Sequence, residues 1–194
     1  GQWITYTADV SGHDDVFVVP ASGGQPRRLT WHPGNDLAVG WSPDGKRVLF
    51  RSDRETSNDS SHLYQISSDG GGLPQALPLS MAENSAFSPD GSHIAYEPDF
   101  QWEPDWRGYR GGQTARIWIA RLSDSSVVKI PRDNSNDRDP MWLGQHVYFL
   151  SDRDGPATLY DYDTASGKVS RLIDNTGFPI DAASAADGAI VYTQ

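Results

Sequence analysis

A short turn that repeats along the chain limits the fold more than any other feature. Trp41-Ser42-Pro43-Asp44-Gly45 returns as Phe87-Ser88-Pro89-Asp90-Gly91, and in weaker form at Trp142 to Gly144 and Ser184 to Gly188. The closing glycines Gly45, Gly91, Gly144 and Gly188 stand at intervals of 46, 53 and 44 residues. A step of similar length back from Gly45 lands on Gly1. Each glycine is followed by an apolar, β-prone run: Ile4-Thr5-Tyr6, Val48-Leu49-Phe50, Ile94-Ala95-Tyr96, Val147-Tyr148-Phe149 and Ile190-Val191-Tyr192. An acidic residue closes four of these units, at Asp9, Asp53, Asp99 and Asp152. A third strand follows (Val16–Val19, Leu63–Ile66, Ile117–Ala120, Leu159–Tyr162), then a polar turn and a last short strand such as Arg28-Leu29-Thr30 or Ser170-Arg171-Leu172. Four strands in each stretch of about 40–50 residues are the signature of a β-propeller blade. The expected fold class is all-β, with four-stranded antiparallel blades in about four repeats, read as a segment of a larger ring rather than a closed four-bladed one.

The turn has a physical cause. Proline presets φ at the first corner, aspartate bonds back to the local backbone, and glycine takes the left-handed position that closes the hairpin. This places the turn between the first (inner) and second strands of each blade. The aromatic just before it (Trp41, Phe87, Trp142) is then expected to pack between neighbouring blades. The phase of the repeat divides the chain into an incomplete blade at 1–30, lacking its first strand, then blades at 36–78, 82–131 and 137–173, and a half blade at 178–194. The blade at 82–131 carries an insertion at 97–114. Both ends of the chain therefore offer a second strand. Exposed edges of this kind are expected to pair with another molecule or to be poorly ordered. The start at Gly1, without methionine, suggests a trimmed or processed piece.

Composition narrows the function. A formal net charge of −10 argues against a nucleic-acid groove or an anionic membrane surface as partner. The absence of cysteine rules out disulfides and leaves the redox compartment open. No apolar run approaches the ~18 residues of a membrane span.

Nothing in the sequence assembles a catalytic set. There is no Gly-x-Ser-x-Gly elbow, the five histidines lack metal-binding spacing, and no glycine-rich loop precedes a helix. His62, His93 and His146 read as surface or strand-edge residues. Asp152-Arg153-Asp154-Gly155 reads as a turn, since it lacks the alternating oxygen ligands of a calcium loop. Ser57 to Ser61 reads as a flexible connector. No metal or cofactor is expected. The candidate contact surface is the insertion with the connectors on its face, Trp31–Asp36 and Arg132–Asp139. Trp102, Trp106, Arg107, Tyr109 and Arg110, with Arg138 on the second connector, combine aromatics, arginine and flexible glycine in a way that suits an interface or peptide contact. Three roles are open for this loop: contact with another domain or subunit, folding back to cap its blade, or direct peptide binding.

Two stretches carry a family resemblance. Trp106-Arg107-Gly108-Tyr109-Arg110-Gly111-Gly112 leads into Ile117-Trp118-Ile119, and Asp139-Pro140-Met141-Trp142-Leu143-Gly144 leads into Val147 to Gly155 and Leu159-Tyr160. They resemble the N-terminal six-bladed propeller of tricorn-like serine peptidases, about blades two to five. The resemblance implies a non-catalytic propeller that guides or filters peptides and supports assembly in a cytoplasmic peptide-trimming enzyme. The chemistry would lie in downstream domains, so this chain alone should hydrolyse no peptide. The implied partners are the remaining blades and catalytic domains of the parent peptidase, and peptides, with a homo-oligomer left open. The family's peptide-anchoring arginine pair sits in an extended loop between early blades. Here the matching connector, Thr30 to Asp36, is short and carries no arginine, so that role is not transferred to Arg27 or Arg28. The alternative is a TolB-type protein-binding module, periplasmic or secreted. A dipeptidyl-peptidase propeller is a third option.

Overall fold

The computed structural model describes all residues except 11, 57–59, 100–108, 175–176 and 187. Part of the Ser57–Ser61 connector and most of the insertion thus lie outside the described residues. Among the described residues there are strands, turns and irregular segments and no helix. The fold class is the all-β, blade-built one expected from the repeat.

Two compact units divide the chain, Gly1–Glu83 and Asn84–Gln194. The first holds a three-stranded sheet of β1 (Trp3–Asp9), β2 (Asp14–Pro20) and β3 (Arg27–Arg28). Beside it in sequence is a four-stranded sheet of β4 (Asp36–Trp41), β5 (Arg47–Ser52), β6 (His62–Ser67) and β7 (Gln75–Ala76). The second unit holds two four-stranded sheets. One is β8 (Ser85–Phe87), β9 (His93–Tyr96), β10 (Trp118–Arg121) and β11 (Val127–Lys129). The other is β12 (Asp137–Leu143), β13 (His146–Ser151), β14 (Thr158–Asp163) and β15 (Val169–Arg171). A hairpin of β16 (Ala182–Ala186) and β17 (Ala189–Thr193) ends this unit. Every pairing is antiparallel between strands consecutive in sequence.

The repeated turns lie between first and second strands. Gly45 (φ 67°) and Gly91 (φ 71°) occupy the left-handed region, where a Cβ would be strained. Their N–H groups donate to the carbonyls of Ser42 and Ser88, both at 2.9 Å. Asp44 accepts from the Ser42 hydroxyl (2.6 Å) and the Lys46 N–H (3.1 Å), and Asp90 repeats the pattern with Ser88 and Ser92. These donors hold the Asp90 carboxyl down to about 2, with the Ser88 hydroxyl the largest cause.

The apolar faces of successive sheets bury one another within each unit. In the first, Val16, Val18 and Leu29 meet Val48, Phe50, Tyr64 and Ile66, and Trp41 packs against them. In the second, Ala95, Ile117, Ile119 and Ile130 meet Val147, Phe149, Tyr160 and Tyr162, and Trp142 packs against that cluster. A further cluster of Met141, Leu150, Leu159 and Ile180 is lined by Ala183, Ala185 and Ile190 of the last hairpin. The two turn tryptophans, each partly buried, thus pack against the clusters between sheets.

Polar clasps close two of the four-stranded sheets. Asp36 opens β4 fully buried, opposite Ser52 at the end of β5. Arg54 returns two residues later, and its Nη2 donates to both Asp36 oxygens at 2.8 Å while its Nε donates to Ser52 Oγ at 3.0 Å. The guanidinium lies over Phe50 (5.3 Å) and Tyr64 (4.8 Å), rings that are themselves stacked. Between them, Asp53 accepts from the Asn35 N–H (2.8 Å) and side chain (3.1 Å). Asn136-Asp137 and Ser151-Asp152-Arg153 repeat this. Arg153 reaches buried Asp137 at 2.8 Å over Phe149 and Tyr160, and Asp152 accepts from the Asn136 N–H at 2.8 Å and side chain at 2.9 Å. Burial pushes the Asp137 carboxyl up, against the pull of Arg153 and the Ser151 and Ser135 hydroxyls. The acid's desolvation is thus costly, and the arginine is what makes its charge tolerable. Removing Arg54 as Arg54→Met should leave Asp36 buried without a counter-charge and cost about 3–5 kcal/mol of stability. Urea unfolding of the full chain measures it, and a loss comparable to a surface substitution would refute the role given to the clasp.

Candidate functional site

The sheet β8–β11 departs from this pattern. Its second strand runs on into Glu97-Pro98-Asp99-Phe100, without the serine and arginine that close the other two. The aromatic pair across its middle strands, Tyr96 and Trp118, meets edge to face at 6.2 Å and 87°, rather than stacked. Asp99 is paired instead with Arg116, which lies over Trp118 at 5.9 Å.

The insertion re-enters the described structure at Tyr109 and is tied down at once. Arg110 Nη1 donates to Asp152 Oδ2 at 2.7 Å and Nη2 to the Asp152 carbonyl at 3.0 Å. Asn136 Nδ2 donates to the Tyr109 carbonyl at 3.3 Å. The anchor for the insertion is thus the clasp of the next sheet, with Asp152 serving both. The Tyr109 ring lies against Gly111, where a Cβ would collide with it. Arg132, on the connector below, donates through Nη1 to Thr114 Oγ1 (2.8 Å) and to the carbonyls of Ser135 (2.6 Å) and Ala115 (3.3 Å). The insertion and the 132–139 connector therefore meet.

Arg138 lies on β12 in a different polar cluster. It pairs with Asp139 and donates to the carbonyls of Asp181 (3.2 Å) and Ile180 (3.4 Å), tying β12 to the segment before β16. Asp139 has a left-handed φ of 56°, within the register shift between Arg138 and Met141. Its freed N–H donates to Glu97 Oε1 at 2.6 Å, and its Oδ1 accepts from Asn84 Nδ2 at 3.1 Å. Glu97 is 5% exposed. Burial first, then the neighbouring Asp139, push its carboxyl up to about 8.

Of the six residues singled out from the sequence, Tyr109 and Arg110 form one cluster and Arg138 another, while Trp102, Trp106 and Arg107 lie outside the described residues. Glu97 and Asp139 were legible only as the limits of the insertion and of a connector. A signal for Glu97 was its place directly after the second-strand aromatic, where a polar side chain faces the next inner strand.

The polar clusters offer no relay for nucleophilic catalysis. Ser92 Oγ lies 2.7 Å from His93 Nδ1, but Asp90 grips the serine rather than orienting the histidine. His146 Nδ1 and Asp161 Oδ2 are 2.7 Å apart, and among the described residues no serine hydroxyl bonds to that histidine. Among the described residues no group of three His, Cys, Asp or Glu could hold a metal ion.

Comparison with known proteins identifies the family. The model of the tricorn protease N-terminal β-propeller domain matches residues 1–194. The chain belongs to this tricorn propeller family. Tricorn protease homolog 1 of Streptomyces coelicolor is 27% identical over 194 residues, 99% of this chain and 18% of the relative. The chain thus spans less than a fifth of the length of that relative. The crystal structure of the tricorn protease is similar with a TM-score of 0.78 and 24% identity, over 98% of this chain and 19% of that one. A putative TolB from Agrobacterium tumefaciens is similar with a TM-score of 0.69 and 24% identity, over 89% of this chain and 61% of that one. At these identities both structures show the fold. Within the tricorn propeller, the Arg110 anchor is half-exposed, at 41% for its side chain. Arg110→Ala should therefore cost under about 1 kcal/mol globally. Amide exchange at Asn136 and Thr114 should rise nonetheless. Hydrogen exchange read residue by residue checks this, and unchanged protection at both sites would show that Arg110 anchors nothing.

Proposed function

We propose that this chain is the non-catalytic propeller of a tricorn-type, peptide-trimming serine peptidase in the cytoplasm, where it guides or filters peptides and supports assembly. The observation that carries this reading is the family match along all of residues 1–194. The parent's remaining blades and catalytic domains are its partners, and peptides its ligands. In this reading the contact surface is the insertion at 97–114, whose sequence carries Trp102, Trp106, Arg107, Tyr109 and Arg110, together with Arg138 of β12. The Arg110–Asp152 anchor fixes the returning end of the insertion, which supports this reading.

A TolB-type, periplasmic protein-binding module is the second reading, favoured by the likeness in fold to the putative TolB. A peptidase domain encoded downstream selects the first, and an export signal without one selects the second.

Purified chain incubated with fluorogenic peptides should show no turnover. Turnover that disappears on mutating one of its own serines or histidines would overturn the accessory role. In the full-length enzyme, replacing Trp106, Tyr109 and Arg110 with alanine should alter peptide-length preference or assembly, while cleavage of a dipeptide-sized reporter changes little. Unaltered length preference and assembly would remove the insertion from the function.

A further inference from the structure

The two register shifts of the inner strands pose the same problem and are solved by the same position. In the first unit β4 shifts between Ala38 and Gly40, and the Ala38 N–H donates to Thr7 Oγ1 at 2.9 Å. In the second unit β12 shifts after Arg138, and the Asp139 N–H donates to Glu97 Oε1 at 2.6 Å. Thr7 and Glu97 each directly follow the aromatic of a second strand, Tyr6 and Tyr96. One acceptor is a neutral hydroxyl and the other is a carboxyl group.

The charges around Glu97 do not balance if it is ionised. Asp139 and Glu97 are two acids, and among the described residues Arg138 is the cation paired with them, its salt bridge going to Asp139. Asn84 adds a neutral amide, and Ile180 and Asp181 face the cluster with carbonyl oxygens that Arg138 already occupies. An ionised Glu97 would be a buried anion beside the partly exposed Asp139, with no cation of its own among the described residues. A neutral Glu97 reproduces the acceptor that Thr7 supplies.

We propose that Glu97 holds its proton in the folded chain and acts as a pH-sensitive latch, joining the second strand β9 to the bulge of β12 and, through Arg138, to the start of β16. Loss of the proton sets two carboxylates against one guanidinium and loosens the junction. The raised carboxyl agrees with this and fixes the sign. A folded chain that binds the proton more tightly than the unfolded one is stabilised at low pH. That contribution shrinks as pH rises above the ordinary glutamate value, and is lost on passing about 8.

Thermal unfolding of the full chain and of Glu97→Gln between about pH 6 and about pH 9.5 tests the latch. The glutamine keeps the acceptor and cannot ionise. The wild-type midpoint should fall by several degrees more than that of the variant over this interval, and the two curves should diverge with rising pH. Parallel curves would overturn the proposal. Carbon-13 NMR of the Glu97 carboxyl in the wild-type chain gives a second reading that needs no variant. Titration near pH 8, moving lower in Asp139→Asn, supports the latch, and titration at the ordinary glutamate value overturns it.

Discussion

A buried aspartate at the start of an inner strand can stay charged only if a cation reaches it, and two of the sheets are organised around that requirement. Arg54 and Arg153 come back across the ends of β5 and β13, lie over a stacked aromatic pair, and neutralise Asp36 and Asp137. The flat guanidinium can bond at its edge while its face rests on rings, which an ammonium cannot do. The aspartate between serine and arginine meanwhile holds the preceding asparagine, so the connector entering each blade is fixed by the same three residues that end its second strand. Interior packing supplies most of the burial, and the clasp sets where the connectors lie.

Much of this architecture was legible because it rests on local chemistry. The Ser-Pro-Asp-Gly turns needed only four residues and a left-handed glycine, and Gly45 and Gly91 adopt it. The turn tryptophans are large and apolar, and Trp41 and Trp142 pack between sheets within their units. The site was less legible because its contacts are distant in sequence. Arg110 meets Asp152 across 42 positions, and nothing in the pattern of either segment names the other. Asp152-Arg153-Asp154-Gly155 reads correctly as a turn, yet its part in a buried clasp depends on Asp137, on another strand. Glu97 illustrates the same limit, since its burial is signalled only by its place in the repeat, directly after the second-strand aromatic.

Two kinds of polar contact bind neighbouring elements in the second unit. The Asp137–Arg153 pair is intrinsic to one sheet, whereas Arg110–Asp152 and Glu97–Asp139 run between sheets. The second kind brackets the insertion: Glu97 fixes the chain as it leaves β9, and Arg110 fixes it on return. A loop held at both ends loses less conformational freedom on binding, in keeping with the contact role proposed for it.

The return of Arg54 and Arg153 within two residues of a strand end also decides where this scaffold accepts foreign sequence. A segment spliced between Ser52 and Arg54, or between Ser151 and Arg153, would carry the guanidinium away from its acid and strand a charge in the interior. After Glu97 no such return is demanded: Asp99 pairs with Arg116, and Arg110 is held by Asp152. For grafting a recognition peptide onto the propeller, the stretch between Asp99 and Arg110 is the natural port, because a splice there leaves the Asp99–Arg116 and Arg110–Asp152 pairs in place.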